Sequence, residues 1–243
     1  MTPPDDRAGP WRRITSAPTG RFTPWKFNWL ENHKIIAALE RVRSHARGEL
    51  LDVGCGSKPF APLFADRVSR YWGSDLRASR YLGSERPDAF AMAEAQPFRA
   101  GSFDTVLGLS MLTYLPQPGR MLAEAHRVLR SDGMLILEFT QMVPLHDEPH
   151  DYFRFTRYGA QVLLDQAGFD VVEAVPVGGL WARVGLSMIA GLNRMNRGPT
   201  RILTELPVRV LYVVLQLGFE LLDRMFFDSR EVLAHIVVAR RRA

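Results

Sequence analysis

With 243 residues, of which 47% are hydrophobic and 23% charged, the chain is long enough and apolar enough to bury one globular core, so global disorder is not expected. A single cysteine, Cys55, excludes an internal disulfide framework and fits a reducing compartment. The first residues, MTPPDDRAGPWRR, lack the apolar core of an export signal, so we expect a cytoplasmic protein. The net charge of +5 comes from arginines spread along the chain, and nucleic acid is therefore not an expected partner.

Residues 1–27 are rich in Pro, Gly, Thr and Arg and have no apolar period, which predicts a mobile N-terminal arm. From residue 28 to about residue 47 the apolar spacing predicts a helix, and short apolar runs then alternate with helical segments. The predicted strands are Glu49–Val53, Arg70–Ser74, Phe103–Leu109, Met134–Phe139, Phe169–Val175 and Ala234–Arg240, and the predicted helices between them are Phe60–Asp66, Gly119–Leu129 and Tyr158–Ala167. Such alternation predicts an α/β fold with a mainly parallel sheet, whose ligands bind at the carboxyl ends of the strands.

Between the last two predicted strands lies the segment 176–232, which is far longer than a hairpin turn and predicts an insertion with its own helices. Its stretches 180–193 and 206–227 are unusually apolar, but charged residues divide the second into spans too short to cross a bilayer as a helix. A substrate lid, a homodimer interface and a peripheral membrane contact remain open as roles. We expect a single domain over residues 28–243 that carries this insertion.

The most informative motif is LLDVGCGSKPF at residues 50–60, where an apolar strand ends in the turn Gly54-Cys55-Gly56. Glycines there let the backbone approach a ligand closely. The second predicted strand ends at Asp75, which is where an acid that binds ribose hydroxyls should fall. A dinucleotide-binding loop would have a third glycine at the position of Pro59, and no P-loop sequence is present. The motif therefore favours S-adenosylmethionine, a cofactor without phosphate.

Together with YWGSDL, AEAQPF, GSFDTVLGLSMLTYLPQP, EAHRVLRSDGMLIL and PHDYFRFTRYGAQVLLDQAGF, this motif resembles the methyltransferase type 11 family of class I S-adenosylmethionine-dependent methyltransferases. The resemblance implies a Rossmann-like, doubly wound, seven-stranded sheet with an antiparallel last strand. It also implies S-adenosylmethionine as cofactor and methyl transfer to a small-molecule acceptor. The cofactor-binding residues that it implies are Asp52, Gly54, Cys55 and Gly56 near the methionine end, Asp75 at the ribose, Leu76, Ala93 and Glu94 near the adenine, and Ser110 below the sulfonium.

Two positions carry further interpretations. Met92 stands where the family often has an acid that contacts the adenine amino group, and Glu94 is the residue that would substitute for it. Asp104, in the predicted strand Phe103–Leu109, is interpreted as a structural residue that caps or braces the sheet edge.

The candidate acceptor site is the segment HDEPHDYFR at residues 146–154, which follows a predicted strand and so lies at the ligand edge. His146 or His150 could act as base, Asp151 could orient the imidazole, and Arg154 could bind an acidic group of the substrate. A purely structural role for the segment stays open. No metal is expected, because Pro149 disfavours the helix that would align His146 and His150 on one face.

Two functions follow from these interpretations. The first is methyl transfer to a small molecule that is apolar or lipid-linked. The alternative is a non-catalytic cofactor-binding module that associates with a membrane or a partner through the segment 176–232.

Overall fold

The computed structural model describes residues 23–83, 86–196 and 201–242, so the predicted N-terminal arm lies outside the described residues up to residue 22. The chain forms two compact units. The sheet unit comprises residues 37–177 and 233–243, and the helical unit comprises residues up to 36 together with 178–232. The predicted single domain over residues 28–243 stays a prediction.

The sheet unit contains seven strands in the order β3-β2-β1-β4-β5-β7-β6. The first five pair in parallel, and β7 is antiparallel to both of its neighbours, β5 and β6. The strands are β1 (Glu49–Val53), β2 (Arg70–Asp75), β3 (Ala89–Phe90), β4 (Phe103–Gly108), β5 (Leu129–Thr140), β6 (Phe169–Val177) and β7 (Ala234–Arg241). The predicted doubly wound α/β fold with an antiparallel last strand is confirmed.

Strand β5 begins earlier than predicted, because an irregularity lies inside it. Leu129 pairs with Phe103, but the next paired residues are Thr105 and Met134, so the ladder skips the polar segment between Leu129 and Met134. Asp132 in that segment has a φ of 60°, which turns the backbone out of the strand conformation. The apolar run Met134–Phe139 therefore predicts only the regularly paired part of β5.

Helices connect the strands of the sheet unit, and two more helices occupy the insertion. The second helix begins at Ala61, one residue after the predicted start at Phe60, and Pro62 lies in its first turn, where a missing N–H costs nothing. Thr156 caps the fourth helix by accepting a hydrogen bond from the Gly159 N–H at 3.1 Å. The helices are α1 (Trp29–Val42), α2 (Ala61–Phe64), α3 (Pro118–Val128), α4 (Arg157–Gln166), α5 (Leu180–Met195) and α6 (Arg201–Met225).

The core of the sheet unit lies on the central strands. Leu107 of β4, Leu135 and Leu137 of β5 and Leu122 of α3 are fully buried. Burying each large aliphatic side chain stabilises the fold by about 1.5–3 kcal/mol relative to leaving it exposed. This packing holds the carboxyl ends of β1, β2, β4 and β5 at one edge of the sheet, where the polar residues of the site follow.

The helical unit is held together by buried polar contacts. Lys34 forms ion pairs of 2.8 Å with both Glu220 and Asp223. Asp223 also accepts hydrogen bonds from the backbone N–H groups of Gly179 and Ala182, which satisfies the start of α5. The predicted insertion thus contains two helices, and it starts at Gly178 because β6 continues through Val177.

The end of the predicted N-terminal arm is hydrogen-bonded to α6. Gln216, which is fully buried, donates to the carbonyls of Pro24 and Lys26 and accepts from the Leu30 N–H.

Among the described residues, none of the helices is both long and apolar enough to span a bilayer.

Candidate functional site

The glycine turn follows β1 and is tied to β2. Gly54 and Gly56 have φ values of 74° and 52°, a region that favours glycine. The backbone N–H groups of Gly54 and Cys55 both donate to the carbonyl of Ser74, at 2.8 and 3.1 Å. A side chain at position 56 would meet the carbonyl oxygen of Tyr81 at 3.2 Å. The turn therefore needs glycine both for its dihedral angles and for its close neighbour.

Asp75 lies directly beside this turn at the end of β2. One carboxylate oxygen accepts a hydrogen bond from the Gly56 N–H and the other from its own neighbour, the Leu76 N–H, both at 2.6 Å. A carboxylate offers about four lone-pair positions, so each oxygen can still accept a hydroxyl. Leu76 exposes about half of its side chain next to that carboxylate. A diol beside an apolar ring system would fit this arrangement.

Asp52 is buried beneath the turn and accepts a hydrogen bond of 2.6 Å from the hydroxyl of Tyr71. Burial raises the pKa of Asp52 to about 7, the Tyr71 hydrogen bond opposes that rise, and the nearby Asp75 adds to it. Asp52 therefore changes charge near neutral pH.

Cys55 turns its side chain away from solvent. The thiol is buried, and burial followed by the charges of Asp52 and Asp75 raises its pKa to about 12. A side chain on Gly73 would overlap the Cys55 sulfur at 2.6 Å. Any contribution of Cys55 to ligand binding would consequently come from its backbone.

The segment from Ala91 to Gln96 brings Ala93 and Glu94 to the same edge. The Ala91 N–H donates to the carbonyl of Asp75 at 3.0 Å, which anchors the segment to the end of β2. Ala93 packs partly against the core, whereas Met92 is largely exposed. The structure thus places these predicted residues on the Asp75 side of the glycine turn.

Ser110 follows β4 and contacts a buried acid on β5. It has a φ of 52°, and its hydroxyl donates to Glu138 at 2.6 Å. Glu138 is buried, and burial raises its pKa. The sequence interpretation missed Glu138, although a lone carboxylate in the apolar run MLILEF was a signal, because burying an acid costs energy unless it has a role or a partner.

His146 forms a pair with Tyr114, a residue that the sequence interpretation did not single out. Nδ1 of His146 lies 2.8 Å from the carbonyl oxygen of Pro144, which requires the proton to be on Nδ1. Nε2 then accepts the hydrogen bond of 2.6 Å from the Tyr114 hydroxyl. The ring is held as the tautomer in which Nε2 carries no proton and acts as the acceptor.

Asp151 and Arg154 brace this loop. The Asp151 side chain is buried, accepts from the His146 backbone N–H at 3.0 Å, and forms a two-point ion pair with Arg154. Arg154 also donates to the carbonyls of Val143 and Pro144 at 3.3 Å. The Arg154 hydrogen bond holds the pKa of Asp151 below its ordinary value. These contacts give Arg154 a bracing function in the loop and leave substrate binding by it a prediction.

His150 lies apart from this pair. It is exposed, and its Nδ1 is 3.1 Å from the hydroxyl of Tyr152 in the same loop. Residues 146 to 151 do not form a helix, which agrees with the expectation based on Pro149. Within the described ranges, no three His, Cys, Asp or Glu side chains are grouped as metal ligands.

A second loop crosses toward the same segment. The Tyr81 hydroxyl donates to the carboxylate of Asp147, which also forms an ion pair with Arg80. Since the Tyr81 backbone lies against Gly56, this contact joins the loop after β2 to the loop after β5.

Asp104 lies in β4, away from these loops. It accepts a hydrogen bond from the Glu49 N–H at 2.8 Å and forms an ion pair with Arg130, as a brace of the sheet edge would.

Residues 51–137 match a family model described as a methyltransferase domain. A malonyl-[acyl-carrier protein] O-methyltransferase of Geobacter sulfurreducens is 33% identical over 150 residues, which are 51% of this chain and 56% of that protein. A ubiquinone biosynthesis O-methyltransferase of Pseudomonas aeruginosa is 24% identical over 160 residues, 60% of this chain and 61% of that protein. The chain therefore spans about half the length of the curated relatives it matches.

A solved structure shares the fold. It is that of Haemonchus contortus phosphoethanolamine N-methyltransferase 2 in complex with S-adenosyl-L-methionine, with a TM-score of 0.53 and 14% sequence identity. The similarity covers 95% of this chain and 59% of that one. At this identity the likeness concerns the fold alone.

Proposed function

We propose that this chain, whose residues 51–137 match a methyltransferase domain, is a class I S-adenosylmethionine-dependent methyltransferase that methylates a small-molecule acceptor. The observation that carries the proposal is the buried carboxylate of Asp75, hydrogen-bonded to the N–H of Gly56 at the glycine turn and still able to accept two hydroxyls. A ribose presents such a pair of hydroxyls. The alternative of a non-catalytic module is not favoured by the relatives, whose names are those of methyltransferases.

The residues around the turn would hold the cofactor as follows. Asp75 would bind the ribose hydroxyls, and Leu76 would pack on the adenine, with the backbone of Ala93 and with Glu94 nearby. The backbone of Gly54, Cys55 and Gly56 would line the methionine end, where the ionised form of Asp52 would attract an ammonium group, and Ser110 would lie near the sulfonium. When bound, the cofactor supplies an electrophilic methyl carbon.

The acceptor is proposed to be a hydroxyl or a carboxyl group, since both named relatives are O-methyltransferases. A hydroxyl must lose its proton on methylation, and Nε2 of His146 is the basic atom that the loop orients. Asp151 positions the base through the His146 backbone. This geometry favours His146 over the exposed His150 as the catalytic base.

The loops at this edge also favour an apolar acceptor. Met142, Leu145, Tyr152 and Phe153, which flank the His146 segment, are all exposed large apolar or aromatic side chains. An acceptor with a hydrocarbon or aromatic portion would cover them.

The test is calorimetric titration of the purified chain with S-adenosylmethionine and S-adenosylhomocysteine. We expect micromolar dissociation constants, roughly −8 kcal/mol, and at least a tenfold loss in Asp75→Asn. Asp165→Asn, at an exposed carboxylate, is the matched control and should bind like the parent.

Turnover is measured in parallel with phenols that carry apolar chains and with long-chain free carboxylates. Failure of the parent to bind either cofactor form would overturn the cofactor assignment. Binding without turnover on any acceptor would instead support the non-catalytic module.

A further inference from the structure

Helix α6 turns its polar side chains inward. Gln216, Glu220 and Asp223 are at most 7% exposed, and the two carboxylates are satisfied by Lys34 within the helical unit. A surface helix in water normally buries its apolar side and exposes its polar side. In α6 this polarity is reversed.

The outward side of α6 forms a continuous apolar stripe. Between residues 206 and 225 ten positions are exposed; nine are apolar, glycine or proline, and the tenth is Arg224. The large side chains of the stripe recur every three or four residues, which places them on one face. They are Leu206, Val210, Val214, Leu217, Leu221 and Met225. At the rise of an α-helix the stripe is about 29 Å long, and a contiguous apolar surface of that extent marks an interaction site.

Such a stripe could be covered by a second copy of the chain or by a membrane, and the charge of the chain distinguishes between the two. By sequence, the two segments 1–36 and 178–232 contain thirteen Lys and Arg against eight Asp and Glu. The remaining sequence, residues 37–177 and 233–243, contains eighteen of each. The whole net charge of +5 therefore lies in the two sequence segments that include α6. Two copies joined through α6 would bring two positive units together, whereas an anionic surface attracts one.

We propose that α6 lies on the surface of a phospholipid membrane that contains anionic lipids, with its apolar stripe among the acyl chains. Interfacial helices bind through buried apolar area together with attraction of basic residues to lipid headgroups. Arg224 borders the stripe three residues after Leu221; it is well exposed and forms an ion pair with Glu220. This site is independent of the proposed methyl transfer, but it would bring the enzyme to the phase in which an apolar acceptor dissolves.

The test is sedimentation of the full chain with phospholipid vesicles. We expect pelleting with phosphatidylcholine vesicles that contain about 25% phosphatidylglycerol, and much less pelleting with phosphatidylcholine alone. Salt of about 0.5 M should weaken the binding, because it screens the attraction to the headgroups.

A matched pair of variants locates the contact. Val214→Glu, in the stripe, should lower the partition coefficient at least tenfold. Val162→Glu, at a similarly exposed valine of α4 in the sheet unit, should leave it unchanged. Both side chains are exposed, so unchanged melting temperatures will show that the variants are folded.

The proposal is wrong if the parent does not pellet with anionic vesicles, or if Val214→Glu pellets as well as the parent. Light scattering, which measures the oligomeric state, tests whether a second copy of the chain covers the stripe instead. A parent that is a dimer in solution, becomes a monomer in Val214→Glu and binds neither vesicle would make the stripe a contact between copies, which also overturns the lipid proposal.

Discussion

The hydroxyl of Tyr114 lies 2.6 Å from Nε2 of His146, although 32 residues separate them in the chain. Tyr114 follows β4 and His146 follows β5, and parallel pairing of these two strands brings their carboxyl ends together. The carbonyl of Pro144 fixes the proton on Nδ1, so the hydroxyl of Tyr114 marks the position from which Nε2 could take a proton.

Replacement of His146 by Gln should therefore lower kcat for a hydroxyl acceptor by about 10²-fold or more, since a positioned base contributes about 10²–10⁴-fold. Cofactor affinity, measured by calorimetry, should stay unchanged. The control is His150→Gln, where we expect nearly parental turnover. Equal losses in the two variants would argue against His146 as the base.

Asp52 gives the stability of the fold a pH dependence. Burial raises its pKa to about 7 from an ordinary value of 3.8, so the folded chain binds more protons than the unfolded chain between those pH values. The free energy of unfolding should fall as the pH rises through that window, by up to about 4 kcal/mol. Asp52→Asn can still accept the Tyr71 hydrogen bond and should remove this slope.

Urea unfolding of the parent and of Asp52→Asn at pH 5 and pH 8 checks the prediction. The variant should gain stability relative to the parent at the higher pH. Parallel pH profiles for the two proteins would show that Asp52 does not titrate in this range.

Glu138 is predicted to position Ser110. In Glu138→Leu the Ser110 hydroxyl loses its acceptor, and we expect S-adenosylhomocysteine to bind about tenfold more weakly, a loss typical of one removed hydrogen-bond partner. Glu138→Gln retains an oxygen that faces Ser110 and should bind nearly as well as the parent. If the Gln variant loses as much affinity as the Leu variant, the charge of Glu138 matters rather than its hydrogen bond.

Lys34 should be essential to the helical unit. Lys34→Met leaves the nearly buried carboxylates of Glu220 and Asp223 without their shared cation, which should cost about 3–5 kcal/mol. Arg67→Met removes an exposed ion pair with Asp66 and should cost less than about 1 kcal/mol. Chemical denaturation of both variants measures the difference, and similar costs would contradict the prediction.

The same cluster should make the chain sensitive to acid. Burial acts to raise the pKa of Glu220, but hydrogen bonds from His33, Lys34 and Arg224 outweigh it and hold the pKa at about 2, below the ordinary 4.5. The folded chain then binds fewer protons than the unfolded one between those values, so this stabilisation is present above pH 4.5 and is lost as the pH falls toward 2. Circular dichroism during acid titration should show a shallower loss in Glu220→Gln.

The sequence predicted those parts of the fold that depend on local patterns. Apolar runs bounded by turn residues located six strands within a few residues, and the glycine turn pointed to the neighbourhood of Asp75. Strand β3 is two residues long, too short for any period to indicate. It is set by pairing with the end of β2, which is a property of the sheet and not of residues 89–90.

The contacts that sequence reasoning did not find join distant segments. Tyr114 and His146, Ser110 and Glu138, and Tyr81 and Asp147 are 32, 28 and 66 residues apart. Each member of a pair follows or ends a different strand, so strand order decides which side chains meet. Residue types at the carboxyl ends of the strands nominate candidates, but the partner of each becomes apparent only once the order of the strands is known.

The burial of Cys55 gives the protein a built-in reporter. Its thiol is the only one in the chain, it is closed to solvent, and its pKa of about 12 keeps it in the unreactive protonated form. A thiol-reactive dye can therefore label it only when the turn between Gly54 and Gly56 opens. The labelling rate of the unaltered protein would therefore report how often the turn opens, and a ligand bound at the turn would lower that rate.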